Sequence, residues 1–206
     1  LLASNFLKWM LMLGTKELSE IILDSEIENL KVAPSNIGLV GIEKEFYKNT
    51  KERELVLKRK IDTVKADYDY IIIDSPPALG PITINTLGAS TSVLIPIQCE
   101  FFALEGLAQL LNTIKLVKQT INKNLQIKGF LPTMYSAQNN LSKQVFADLA
   151  QHFENKLFKV DDDSYVVIPR NIKLAESPSF GKPIMLYDTT SIGTKAYTNL
   201  AKAIIG

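Results

Sequence analysis

"DYDYIIIDSPPALGP", residues 67–81, sets an apolar run, Tyr70 to Ile73, directly against a carboxylate, Asp74, with Pro76 and Pro77 close behind. A run this short and this apolar reads as a strand buried on both faces, as in parallel sheets covered by helix layers. Similar β-rich runs recur at LKVAP (30–34), SVLIPI (92–97), QIKGFLP (126–132) and YVVIP (165–169). Between them lie longer stretches at helical spacing. The clearest is 103–121, where Leu104, Leu107, Leu111 and Ile114 recur with Leu110, Val117 and Ile121 beside them. Two more cover 141–153, with Asn140 or Ser142 as the starting cap, and 194–205. Strands alternating with helices predict an α/β fold: a doubly wound, mostly parallel sheet with helices on both faces. In such sheets ligands gather at the carboxyl ends of the strands, and Asp74 stands at one.

Composition narrows the function classes. The chain has 206 residues, 46% of them apolar and 22% charged, with a net charge of +1. No linker, repeat or low-complexity segment divides it, so residues 1–206 read as a single domain. A near-neutral balance argues against a surface that coats nucleic acid, while leaving room for a local basic patch. The lone Cys99 excludes an intrachain disulfide and points to a reducing, cytoplasmic compartment. Cys99 and the lone His152 cannot build a structural zinc site by themselves. The opening LLASNFLKWMLMLG (1–14) is apolar, but Lys8 interrupts it, and it lacks the basic start and cleavage pattern of a signal peptide.

Asp74 alone supports two readings. It is the acid of a Walker B strand, facing Mg²⁺ through a water beside nucleotide phosphates. Or it caps a turn through Ser75-Pro76-Pro77. The order of the segments from Asp74 onward favours the first: DSPPALG (74–80), LIPIQCEFFALEG (94–106), GFLPTMYSAQNNLSKQV (129–145) and IPRNIKLAESPSFGKPIMLYD (168–188). With LKVAPSNIGLVGIEKEF (30–46) upstream, this series resembles the ParA/Soj family of chromosome- and plasmid-partition ATPases, relatives of MinD, over nearly the whole chain from about residue 15.

The resemblance implies a P-loop NTPase-like fold that uses ATP and Mg²⁺. Asp74 is then the Mg²⁺-linked acid, and Thr133, Met134, Pro169 and Arg170 fall where the family walls the adenine. Arg170, Lys173, Lys182 and Lys195 are the candidates for DNA contact; each is equally readable as a solvated surface charge. Such contacts go to phosphate, carry no sequence information and weaken with salt. The implied partners are a second copy in an ATP-closed dimer, non-specific DNA and a ParB-like protein that stimulates hydrolysis, in the cytoplasm on the nucleoid. A membrane-bound, MinD-like role needs a basic amphipathic end, and the tail AYTNLAKAIIG (196–206) has one Lys.

A site of this class also needs a Gly-rich phosphate loop. The pattern G-x-x-x-x-G-K-[ST] does not occur: Gly181-Lys182 runs into Pro183, with Glu176 where the first Gly belongs. The family's acidic motif after its second strand is also missing. Together with the initial Leu, this leads us to expect a fragment lacking an amino-terminal βαβ portion, poorly stable and without ATP turnover by itself. No catalytic residue is assigned. The alternative is a non-enzymatic remnant or binding module.

Two departures weaken single assignments: Ser136, Ala137 and Gln138 come after the TMY, and only Lys195 remains basic in the TTSIGTK after LYD. Among other residues, Cys99 reads as buried and inert rather than as a nucleophile served by His152. Glu100 and Glu105 read as acids opening a helix, Gly106 as the mark of a close backbone neighbour, and Glu176 as loop structure. Asp161 to Asp163 read as a solvated turn rather than a metal site.

Overall fold

A computed structural model describes residues 17–35, 53–75, 79–101, 103–161 and 164–206. The opening stretch 1–14, the family-like residues 36–46, the Pro76-Pro77 turn, and Asp162 and Asp163 lie outside them. The chain divides into two compact units, one from residues 1–91 with 112–125, the other from 92–111 with 126–206.

In the first unit a short antiparallel hairpin pairs β1 (Leu23–Asp24) with β2 (Lys31–Val32). Asn29 takes a left-handed φ of 61° in its turn, a conformation Asn tolerates. Only two residues of the strand expected at 30–34 form, and they are exposed. Helix α1 (Val56–Asp62) supplies Ile61 to a small core with Leu18, Ile21 and Val64, against which Ile73 rests.

Helix α2 (Pro81–Ala89) starts on a proline, which suits a first turn that lacks intrahelical acceptors. A buried polar hub ties it down. Asn85, 1% exposed, donates to the carbonyls of Arg53 (2.9 Å) and Pro81 (3.1 Å) and accepts the Leu57 N–H (3.2 Å). Asn122 donates to the Leu87 and Ser90 carbonyls at 3.0 and 2.7 Å. Gly88 allows this close approach, since a Cβ there would stand 2.8 Å from the Glu54 carbonyl.

The strand expected at 70–74 does not form. Residues 70–75 have no regular structure, and Ile72 is 93% exposed. The cause is the lack of a neighbour: a strand must pair its N–H and C=O groups, and nothing among the described residues pairs with this run.

The second unit is built on a parallel pair, β3 (Ser92–Gln98) and β4 (Gln126–Thr133), in register from Ser92↔Gln126 to Gln98↔Thr133 with one irregularity at Val93/Leu94. Helix α3 (Ala103–Thr120) follows β3 and passes into the first unit at Asn112. Helix α4 (Asn140–Phe153) follows β4; its cap is Asn139, which accepts the Leu141 N–H at 2.9 Å, rather than Asn140 or Ser142. The short helices α5 (Ile172–Glu176) and α6 (Ile184–Tyr187) lead to α7 (Ile192–Ile205), capped by Ser191.

Alternation along the strands sends side chains to opposite faces. On one face Leu94 and Leu131 meet Phe158, Val166, Ile168 and, from α7, Leu200. On the other, Phe130 packs against Phe153 of α4, their tilted rings 4.5 Å apart. Helices therefore cover both faces of the pair, as the alternation of elements predicts.

The expected strand at 165–169 is reduced to single bridges, Lys159↔Tyr165 and Tyr135↔Pro169. Val166 donates to Phe158 and Ile168 to Pro132, so the segment changes neighbours midway and builds no ladder with either. Within β3, Pro96 has no N–H to give. Because the Cys99 N–H reaches the Thr133 carbonyl at 2.9 Å, the even-numbered Pro96 faces the opposite strand edge.

Candidate functional site

The carboxyl end of the parallel pair gathers four of the expected residues. Thr133 closes β4, and its carbonyl accepts from Cys99. The next residue, Met134, adopts a left-handed φ of 54°, which costs an L-residue about 1 kcal/mol. That turn lets the Tyr135 N–H reach the Ile168 carbonyl (3.1 Å), while the Tyr135 carbonyl accepts the Arg170 N–H (2.9 Å). Thr133, Met134, Pro169 and Arg170 thus meet through one short parallel contact, Tyr135↔Pro169.

Side chains complete the arrangement. Arg170 Nη2 donates to Glu100 Oε1 at 2.8 Å. Ser142 Oγ donates to the Cys99 carbonyl (3.2 Å) and accepts the Ser136 N–H (3.3 Å), joining the ends of both strands. Together these residues rim an open groove of about 730 Å³, walled by Ile97, Phe101, Leu107, Leu110, Met134 and Leu141. Its size is that of a small-molecule site. Gly106 belongs to its wall, and among the described residues nothing lies within 4 Å of a Cβ built there, so none of them is the close backbone neighbour expected. Bare backbone at Gly106 widens the groove instead.

In the first unit, Asp74 follows the half-buried Ile73 and is itself exposed. Beside it Ser75 Oγ lies 3.4 Å from Thr83 Oγ1 and accepts from Thr86 Oγ1 at 3.3 Å. A lone carboxylate is a hard oxygen donor, the kind Mg²⁺ takes when phosphate and water supply its other ligands. No cluster of three His, Cys, Asp or Glu able to cage a metal exists among the described residues. Asp74 therefore fits Mg²⁺ only as a single contributor.

The basic candidates Arg170, Lys173, Lys182 and Lys195 are all exposed in the second unit. Arg170 is held by Glu100, and Lys173 by Glu176 at 3.2 Å. That pairing, followed by the nearby Tyr187 and Asp188, holds the Lys173 ammonium pKa above its usual value. Glu176 also accepts from the Tyr187 hydroxyl at 3.1 Å, a structural clasp between α5 and α6. Cys99 is buried, and desolvation pushes its thiol up to about 11, far from a thiolate nucleophile. His152 Nδ1 lies 2.8 Å from the Asp148 carbonyl of its own helix, and its ring meets that of Phe153.

Two features escaped the sequence. Glu100 pairs across the site instead of serving only a helix start, and Ser142 links two loops instead of capping α4. Neither leaves a periodic signal.

The profile of a family described as an AAA domain matches residues 3–127. The sporulation initiation inhibitor protein Soj of Bacillus subtilis is 50% identical over 185 residues, covering 90% of this chain and 70% of the relative. The chromosome partitioning protein ParA of Myxococcus xanthus is 42% identical, covering 94% and 66%. Among solved structures, the cobyrinic acid a,c-diamide synthase of Mycobacterium smegmatis with bound ADP and magnesium matches with a TM-score of 0.76 at 32% identity, over 96% of this chain and 70% of that one. The fold is thus the α/β fold of P-loop NTPases, and the chain belongs to the ParA/Soj family of partitioning ATPases.

Proposed function

We propose that this chain is the main part of a single partition ATPase domain that binds ATP and Mg²⁺, dimerises, holds DNA without reading its sequence and releases it on hydrolysis stimulated by a ParB-like partner. One observation carries the proposal: Thr133, Met134, Pro169 and Arg170, expected at the adenine, converge on one parallel contact, and Met134 and Arg170 among them line an apolar groove large enough for a flat ring. Asp74 contributes the carboxylate on the metal side, and bound Mg²⁺ would neutralise phosphate charge there. Exposed Lys173, Lys182 and Lys195, with Arg170, meet duplex phosphate. The protein works in the cytoplasm on the nucleoid; no helix among the described residues is long and apolar enough to cross a membrane.

The test is ATP binding and turnover by the native protein. We expect Mg²⁺-dependent hydrolysis that Asp74→Ala lowers about a hundredfold, with Arg170→Ala raising the Kd for ATP. A native protein that binds no nucleotide would replace this reading with a non-enzymatic binding module.

A further inference from the structure

Arg170, already placed beside the nucleotide groove, meets two further demands with one side chain. It is assigned to duplex phosphate, yet its guanidinium already donates to Glu100 at 2.8 Å, across 70 residues of sequence. Both side chains are open to water, Arg170 at 60% and Glu100 at 51%. An ion pair in that setting exchanges readily; a pair built to hold structure is buried and doubly hydrogen-bonded.

The backbones on either side are fixed without the pair. The Glu100 N–H donates to the Gln98 carbonyl at 2.8 Å and its own carbonyl accepts from Ala103 at 3.1 Å, while the Arg170 N–H is held by Tyr135. The two side chains reach each other from anchored stems, so the guanidinium can leave the carboxylate without disturbing the site. Lys173 differs, because Glu176 lies one turn away on the same short helix and is also bound by Tyr187.

We propose that Glu100 is an internal competitor for Arg170: its carboxylate occupies the guanidinium in the free protein and yields it to a DNA phosphate on binding. Glu100 thereby sets how tightly the protein holds DNA. The inference rests on the DNA-binding reading above and adds to it a residue that weakens the grip. A phosphate contact at Arg170 trades one ion pair for another, whereas contacts from Lys182 or Lys195 add new ones.

The experiment titrates a labelled random-sequence duplex with the full-length protein in ATP and Mg²⁺, reading anisotropy at several salt concentrations. Glu100→Gln should bind about threefold tighter at low salt, with a log–log salt slope close to that of the wild type, because Arg170 meets the same phosphate in both. With ATP raised until each variant is saturated, Arg170→Ala should bind more weakly, and the double variant no more tightly than Arg170→Ala. Glu105→Gln, the same charge change in the first turn of α3, should match the wild type. Glu100→Gln binding like the wild type would overturn the competition while leaving DNA binding intact. A gain that persists in the Arg170→Ala background would also overturn it. Failure of the wild type to bind duplex would remove the DNA-binding reading and the competitor with it.

Discussion

Two apolar runs of nearly the same character meet different fates in the two units. SVLIPI, in the second, becomes β3, paired along its length with β4, and its Ile95 and Ile97 are buried. YIIID, in the first, forms no strand, and Tyr70, Ile71 and Ile72 face water. Both are β-rich by composition. What separates them is a partner: β-propensity expresses fit to a pleated, half-buried surface, and a run without a neighbour has no such surface. The second unit is thus held by apolar side chains packed on a ladder, the described part of the first by a small apolar core around Ile61 and polar ties around α2.

The contrast can be broken most sharply by core truncation. Phe130→Ala removes a ring that is 1% exposed and packed against Phe153, so it should cost about 3–5 kcal/mol in urea unfolding. Ile72→Ala in the 206-residue chain should change stability by no more than about 0.5 kcal/mol. A loss at Ile72 rivalling that at Phe130 would mean a further element covers it. The first unit's weight should fall on Asn85 instead. Asn85→Ala leaves the Arg53 and Pro81 carbonyls and the Leu57 N–H without their partner, at about 3 kcal/mol.

A third test uses alkali against the second unit. Cys99 holds its proton to about pH 11 when folded, against an ordinary 9.0. The folded state then binds more protons than the unfolded one above pH 9, so stability should fall as pH rises from 9 to 11. The loss is on the order of 2–3 kcal/mol. Cys99→Ala should flatten that part of the profile, and iodoacetamide at pH 8 should label the native thiol only after unfolding. The smallest effect is expected at the α5–α6 clasp. Tyr187→Phe removes one hydrogen bond to Glu176 and should lower the melting temperature by about 2 °C.

These differences also mark what the sequence could disclose. Periodicity located α3 and α7 to within two residues, because an amphipathic stripe follows from a helix lying on a core whatever surrounds it. Strands β3 and β4 were equally legible because each is the other's neighbour. At 70–74 and 165–169 the composition was that of a strand, but pairing is decided by remote residues that no local window contains. In the site, the convergence of Met134 with Arg170 followed from family motifs. The left-handed backbone at Met134, the bridge from Ser142 to Cys99 and the reach of Glu100 to Arg170 depend on how loops fold back, and left no pattern to read.

Pro96 carries a consequence for solubility. The edge of β3 turned away from β4 presents the Pro96 carbonyl but no matching amide hydrogen, so a strand arriving from another molecule finds the ladder interrupted at its middle. Proline placed there makes the edge a poor template for sheet growth between molecules, and protects the chain from fibrillar association while still allowing a companion strand shaped to skip one bond.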